Sequence, residues 1–217
     1  MINRVLSTRD RILQHGLLAM SKSGLSGITL GTLAERVGMS KSGLFAHFRS
    51  IDEVQISLLR HATQVAEETV VIPAMQSPEG LPRLKAVIQN WLGWSAKAGL
   101  EGGCPVAAGM FELDDVEGPV RDEVLALERH WRELLTELVL QAMERGELRA
   151  DLDVPQFVWE LCGIYLSHHA SLRFVRDPDA DRRAEMAIEI LLERAVALRP
   201  KRNTARLPHR QKSKARR

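Results

Sequence analysis

Apolar residues recur at three- and four-residue intervals along most of the chain, and no β-strand is predicted anywhere. Ser7 or Thr8 caps a first helix, whose apolar face, Ile12, Leu13, Leu17 and Met20, ends near Ser23-Gly24. Thr29 caps a second, with Leu30, Leu33, Ala34 and Val37 on one face and Gly38 just past its end. Ser40 caps a third, over 41–48, which buries Leu44 and Phe48. Ser50-Ile51-Asp52-Glu53 is a capping box that starts a fourth, through Val54, Leu58, Leu59, Ala62, Val65, Ala66 and Thr69, with Pro73 expected to stop it.

After a Pro- and Gly-containing boundary at 73–82, helical spacing returns over 83–98 and places Trp91 and Trp94 on one side of a single helix. Gly99, Gly102 and Gly103 break the pattern, and Cys104-Pro105 opens a short helix running to Asp114. Val120, Val124, Leu127, Trp131, Leu134, Leu138 and Ala142 mark a long amphipathic helix that finishes at Gly146. Asp153 caps the next, through Phe157, Leu161, Tyr165 and His168 to about Val175, and a last one carries Ala187, Leu191, Ala195 and Leu198. The expectation is an all-α protein of about nine helices: a three-helix head at 1–52, a larger helical body at 53–200, and a basic tail at 201–217 that has no apolar periodicity and is expected to be disordered when free.

The turn at Gly38 between two short helices, followed at once by another, is the sequence form of a helix-turn-helix. Leu44 and Phe48 face inward, so Lys41, Ser42, Gly43, Ala46 and His47 are left outward, a small and polar surface suited to a major groove. The run from Thr8 to Val54 resembles the DNA-binding domain of TetR/AcrR-type transcriptional regulators in Thr29, Leu33, Ala34, Val37-Gly38, Ser40-Lys41, Leu44-Phe45, His47-Phe48 and Ser50. The resemblance covers about a quarter of the chain. It implies DNA contacts from Thr29, Ser40, Lys41, Ser42, Gly43, Phe45, His47 and Arg49, with Thr29 and Arg49 on phosphate. Phe45 stands where the family commonly has a phosphate-binding tyrosine, and Gly43 where a threonine is frequent, so a lean reader is expected. The N-terminal turn of the first helix, with Arg4, Arg9 and Arg11, is a further candidate for the DNA backbone.

The net charge of +2 conceals three electrostatic segments. Residues 1–60 carry +4 and residues 201–217 carry +8, which leaves −10 on the stretch between them. Phosphate should therefore be sought by the head, and the tail is either a solvated appendage or a source of non-specific DNA affinity. Two cysteines exclude a disulfide scaffold and suit a reducing compartment, and no apolar run approaches the ~20 residues of a membrane span, so a cytoplasmic protein is expected.

Helical bodies place ligand sites between helices. The candidates are Trp91, Trp94, Cys104, Met110, Phe111, Trp131, Trp159, Tyr165 and His168, with His169 beside them, an aromatic and sulfur-rich set suited to a small hydrophobic molecule. Each could equally be ordinary core. Cys104 lies near a helix N-terminus, where a thiolate sensor or an inert packed thiol are both open readings. Glu112, Asp114, Asp115 and Glu117 could meet a cationic ligand or form a solvated face. His130, Cys162, His168 and His169 lack metal-ligand spacing, and no nucleophile elbow, phosphate-cradling loop or nucleotide fingerprint is present. No cofactor and no catalysis are expected; a helical enzyme would have Cys104 as its one nameable reactive group. The reading is a homodimeric, ligand-responsive regulator of transcription, with the resemblance implying a repressor that a small hydrophobic molecule releases from a palindromic operator, against the alternative of a constitutive DNA-binding dimer. The resemblance implies a dimer contact on the last two helices.

Overall fold

The computed structural model describes residues 7–196, all helices and turns apart from one isolated antiparallel bridge between Leu148 and Val196. The tail at 201–217, Arg4 and Leu198 lie outside the described residues. The head comprises α1 (Thr8–Ser23), α2 (Leu30–Val37) and α3 (Lys41–Phe45), packed on the first half of α4 (Ile51–Ala66). Its core is Leu17, Met20, Leu33, Leu44, Phe48, Val54 and Leu58, all essentially sealed from water. Gly16 lets α1 pack closely on α4, since a Cβ there would come within 2.6 Å of Leu58 Cδ2 and displace that buried side chain.

The helix expected to stop at Pro73 instead runs through it. A π-helical turn, Glu67–Val71, follows α4 and leads into the short α5 (Ile72–Ala74). The ring of a helical proline clashes with the carbonyl four residues back, and widening the preceding turn makes room. Asn90 steadies that turn by donating through Nδ2 to the Val70 carbonyl at 3.1 Å.

The body continues with α6 (Leu81–Trp91), α7 (Trp94–Lys97), α8 (Pro105–Glu112), α9 (Pro119–Glu144), α10 (Val154–Ala170), a second π turn (Ser171–Val175) and α11 (Ala180–Ala195). The single helix expected over 83–98 is two pieces, because Gly93 adopts a left-handed conformation at φ 72° between the two tryptophans. Helix α9 is the central post, in contact with α4, α6, α8 and α10, and Arg60 ties α4 to it through a two-pronged pair with Glu123 at 2.8 and 2.7 Å. Helix α10 packs along α11, with Arg194 paired to Glu160 at 2.6 Å.

Candidate DNA interface and ligand cavity

The head presents its reader through caps. Thr29 and Thr32 cap each other reciprocally at the start of α2, Gly38 ends α2 at φ 66°, and Ser40 Oγ accepts from Gly43 N–H at 3.0 Å to start α3. Lys41, Ser42, Phe45 and Arg49 are exposed, whereas Gly43 and His47 are half-buried. Helix α3 ends at Phe45, three residues earlier than the spacing suggests, so His47 and Phe48 sit in the turn that follows. Phe45 is 50% exposed, a large apolar side chain held out on the reading face. Gly43 has a local reason as well, since a Cβ would press to 3.2 Å from Ser40 Oγ. Glu53 receives the amide of Arg49 rather than that of Ser50, at 2.7 Å, while Ser50 Oγ caps Glu53 N–H. The Arg9 guanidinium lies 5.0 Å from the centre of the Phe48 ring and donates to Ser57, so it is engaged within the head. Arg11 is exposed.

Below the head, a cavity of about 90 Å³ lies between α4, the first π turn, α6, α7, α8, α9 and α10. Ala62, Thr63, Ala66 and Val70 form one wall; Trp91 and Trp94 a second; Cys104, Val106, Ala107 and Met110 a third. Leu127, Glu128 and Trp131 from α9 and Cys162, Tyr165 and Leu166 from α10 close it. The Trp91 ring stacks on Tyr165 with centroids 4.1 Å apart and meets Trp131 at a tilt, 4.9 Å away. Trp94 Nε1 donates to the Tyr165 hydroxyl at 2.9 Å. Burial pushes the Tyr165 hydroxyl well above the usual phenol range and pushes Cys162 up to about 11.

Cys104 is the N-cap residue of α8, and burial raises its thiol pKa although the Ala107 and Val106 amides, Tyr165 and Trp94 all act to lower it. Desolvation therefore outweighs the helix N-terminus, and the side chain is a neutral thiol in the wall, against the thiolate-sensor reading.

Two helices join this cavity to the head. Helix α4 begins under the reader and ends in the cavity wall. Helix α8 carries Ala107 and Met110 on the cavity and Gly109 against Leu25; at its end the Glu112 carboxylate accepts the amides of Leu25 and Ser26, at 3.2 and 3.1 Å, in the turn between α1 and α2. Nearby, Gly102 packs so closely on the backbone of Ser21 that any Cβ would overlap its carbonyl, and Lys22 pairs with Glu101. Glu112 thus belongs to the head–body joint rather than to a solvated acidic face, whereas Asp114, Asp115 and Glu117 are exposed.

Residues 80–188 match the family described as tetracyclin repressor-like, C-terminal domain. The chain belongs to the TetR family. As a TetR-family transcriptional regulator it is a DNA-binding protein and not an enzyme. It is 29% identical over 176 residues to the nucleoid occlusion factor SlmA of Sodalis glossinidius, across 80% of this chain and 86% of that one. Its fold resembles that of a TetR regulator from Chloroflexus aurantiacus J-10-FL, with a TM-score of 0.79 at 21% identity over 88% of this chain and 97% of the other. It also resembles AibR, solved in complex with isovaleryl coenzyme A and operator DNA, with a TM-score of 0.64 at 19% identity over 85% and 96% of the two chains.

In this TetR-family chain, six of the sequence-derived ligand candidates line the one cavity: Trp91, Trp94, Cys104, Met110, Trp131 and Tyr165. Three do not. Phe111 is 60% exposed; Trp159 is 64% exposed on the outer side of α10; and His168, though buried, hydrogen-bonds Asp181 of α11 at 2.7 Å. His169, half-buried behind Gly103, is held below the ordinary imidazole range by burial and then by Arg173. The cavity wall also holds residues that were not among the candidates: Ala62, Thr63, Ala66 and Val70 from α4 and the π turn, the aliphatic side chains Val106, Ala107, Leu127 and Leu166, the thiol of Cys162, and Glu128, which sits next to the apolar stripe of α9. Among the described residues no three His, Cys, Asp or Glu side chains converge as metal ligands, and no helix is long and apolar enough to cross a membrane.

Proposed function

We propose that this chain is a homodimeric repressor whose operator binding is relieved by a small hydrophobic molecule held in the α4–α10 cavity. The observation that carries the reading is the placement of the cavity: α4 and α8 both form its wall and both contact the head. A ligand that prefers one spacing of those helices shifts the orientation of the reader by its differential affinity for the two arrangements. AibR, crystallised with both an acyl coenzyme A and operator DNA, is consistent with such a two-site protein.

Specific binding falls on Thr29, Ser40, Lys41, Ser42, Gly43, Phe45, His47 and Arg49, with the phosphate contacts from Thr29 and Arg49. One short recognition helix reads too few bases, so two heads read a palindrome across successive major grooves. The dimer surface is the outer face of α10 and α11, where Trp159, Met186 and Ile190 are each at least half exposed, an apolar area that a soluble monomer would hide. Such a protein works in the cytoplasm, on chromosomal DNA.

The test is to select operator sites from a random DNA pool with the purified protein and then screen small hydrophobic compounds for release. A dimer on a palindrome, dissolved by compounds that also quench tryptophan emission, is the expected result. A palindrome that no cavity-binding compound dissolves would instead make the chain a constitutive DNA-binding dimer.

A further inference from the structure

We infer that the cavity selects a small, uncharged aromatic alcohol, a phenol or a benzylic alcohol, by presenting one unfilled donor and one unfilled acceptor side by side on α9. The inference rests on the ligand-responsive reading above and names the chemistry of its ligand.

Most polar groups around the cavity are already satisfied by the protein. Trp94 Nε1 is taken by Tyr165, the Thr63 hydroxyl donates back to the Leu59 carbonyl at 3.1 Å, and Asn90 holds the Val70 carbonyl. Two groups are left over. Trp131 Nε1 is buried and has no hydrogen-bond partner among the described residues. Glu128 is paired with Arg132, but Nε at 2.8 Å and Nη2 at 2.7 Å both fall on the same oxygen, Oε1, which leaves Oε2 without a hydrogen-bond partner among the described residues. Glu128 and Trp131 are three apart on α9 and therefore adjacent on one face of the helix.

A buried N–H without an acceptor costs free energy that a ligand oxygen can recover. The complement to the pair is a group that accepts from Trp131 and donates to Glu128, and a hydroxyl does both. A carboxylate would accept from Trp131 but has no proton to donate to Glu128 Oε2. An organic cation would satisfy Glu128, already neutralised by Arg132, and leave the indole N–H unanswered. The remaining walls, with Trp91, Met110 and Tyr165, suit an aromatic body. At about 90 Å³ the space is well below the ~300 Å³ at which pockets for drug-sized ligands begin, so one ring with short substituents is the fit and a coenzyme A thioester is not.

The experiment titrates the full-length protein with four probes of similar size, p-cresol, toluene, benzoate and benzyltrimethylammonium, and follows tryptophan quenching, calorimetric affinity and melting temperature. p-Cresol should bind about 10-fold tighter than toluene, with benzoate and the cation weakest. Trp131→Phe should remove the cresol advantage while leaving toluene affinity within about 2-fold, and Glu128→Gln should reduce discrimination against benzoate. Should Trp131→Phe fold poorly, Glu128→Gln and the wild-type probe ranking still decide the matter. Equal affinity for cresol and toluene, or a preference for either ion, overturns the hydroxyl inference and leaves the cavity as a ligand site. Binding of none of the four overturns the inference. Failure of a wider hydrophobic screen to release DNA overturns the ligand-responsive reading beneath it.

Discussion

Glu112→Ala tests whether α8 carries the signal between cavity and head. The carboxylate accepts two backbone amides of the α1–α2 turn, and Gly24 leaves room for it there, since a Cβ on Gly24 would crowd both its oxygens. Hydrogen bonds to a charged group contribute about 1.5–3 kcal/mol each when buried. Glu112 is half-buried and its competitor is water, so ~1–2 kcal/mol for the pair is the appropriate scale. For a chain of this length that is a melting-point loss of roughly 2–8 °C. The functional consequence is separate from the stability loss. Met110, two residues earlier, lines the cavity, so under the proposed function a ligand-driven movement of α8 would be passed to the turn by these two bonds. The expected phenotype is retained ligand binding and operator affinity within about 3-fold, with the ligand's effect on operator affinity falling from the ~5–150-fold of ordinary allosteric coupling toward unity. Operator binding by anisotropy, with and without saturating ligand, measures this directly, and ligand affinity with and without operator must give the same ratio. A normal ratio in a variant that melts lower would refute the reasoning and leave transmission to α4 alone.

Four further predictions follow from the same geometry. Lys41→Ala should weaken operator binding and reduce the salt slope of log K by about 0.9 per head, and an unchanged slope would remove this side chain from phosphate. Phe45→Tyr places a hydroxyl where the family commonly has one and should tighten operator binding about 5-fold per head, at ~1 kcal/mol for each added bond, hence roughly 30-fold for a dimer, in a filter-binding or anisotropy assay. Trp159→Lys puts two charges into a two-fold interface and should raise the dimer dissociation constant by about 10³ in sedimentation equilibrium, at roughly 2 kcal/mol or more for each copy; a dimer that survives means another face is used. Cys162, about 11 folded against an ordinary 9.0, keeps its thiol protonated after the unfolded thiol has ionised. Its contribution is therefore complete below about pH 9 and lost as pH rises to about 11, a loss of ~1–3 kcal/mol that should be absent from the pH dependence of Cys162→Ala melts.

Much of the fold was legible because a helix announces its buried face at every third or fourth residue. Ser7, Thr29, Ser40, Ser50 and Asp153 all cap helices as their sequence positions imply, because each needs only local partners. What could not be read depends on neighbours distant in sequence. Pro73 ends a helix unless the turn before it can widen, and that turn is held by Asn90 from another helix. Gly93 looks tolerable inside a helical pattern until the chain must redirect Trp94 toward Tyr165.

The cavity shows the same division between local and tertiary information. Trp131 falls on the apolar stripe of α9 with Leu127, Leu134 and Leu138, whereas Trp159 lies off the Phe157, Leu161 and Tyr165 stripe of α10, a difference in spacing that the choice of ligand candidates by residue type passed over. Helix α10 is apolar on two sides, with Phe157, Leu161 and Tyr165 turned into the body and Trp159 turned out. The body covers Tyr165 in the cavity wall and leaves Trp159 exposed, on the surface that the proposed dimer would cover. Glu128 was hidden for the opposite reason. Its charge looked like one more carboxylate on a polar helix face, yet Arg132 one turn further on neutralises it and lets it enter a wall that is otherwise apolar. The polar pair on α9 thus exists because an i,i+4 ion pair makes an acid acceptable next to tryptophan, and the ligand's chemistry is fixed by the one oxygen which that ion pair does not use.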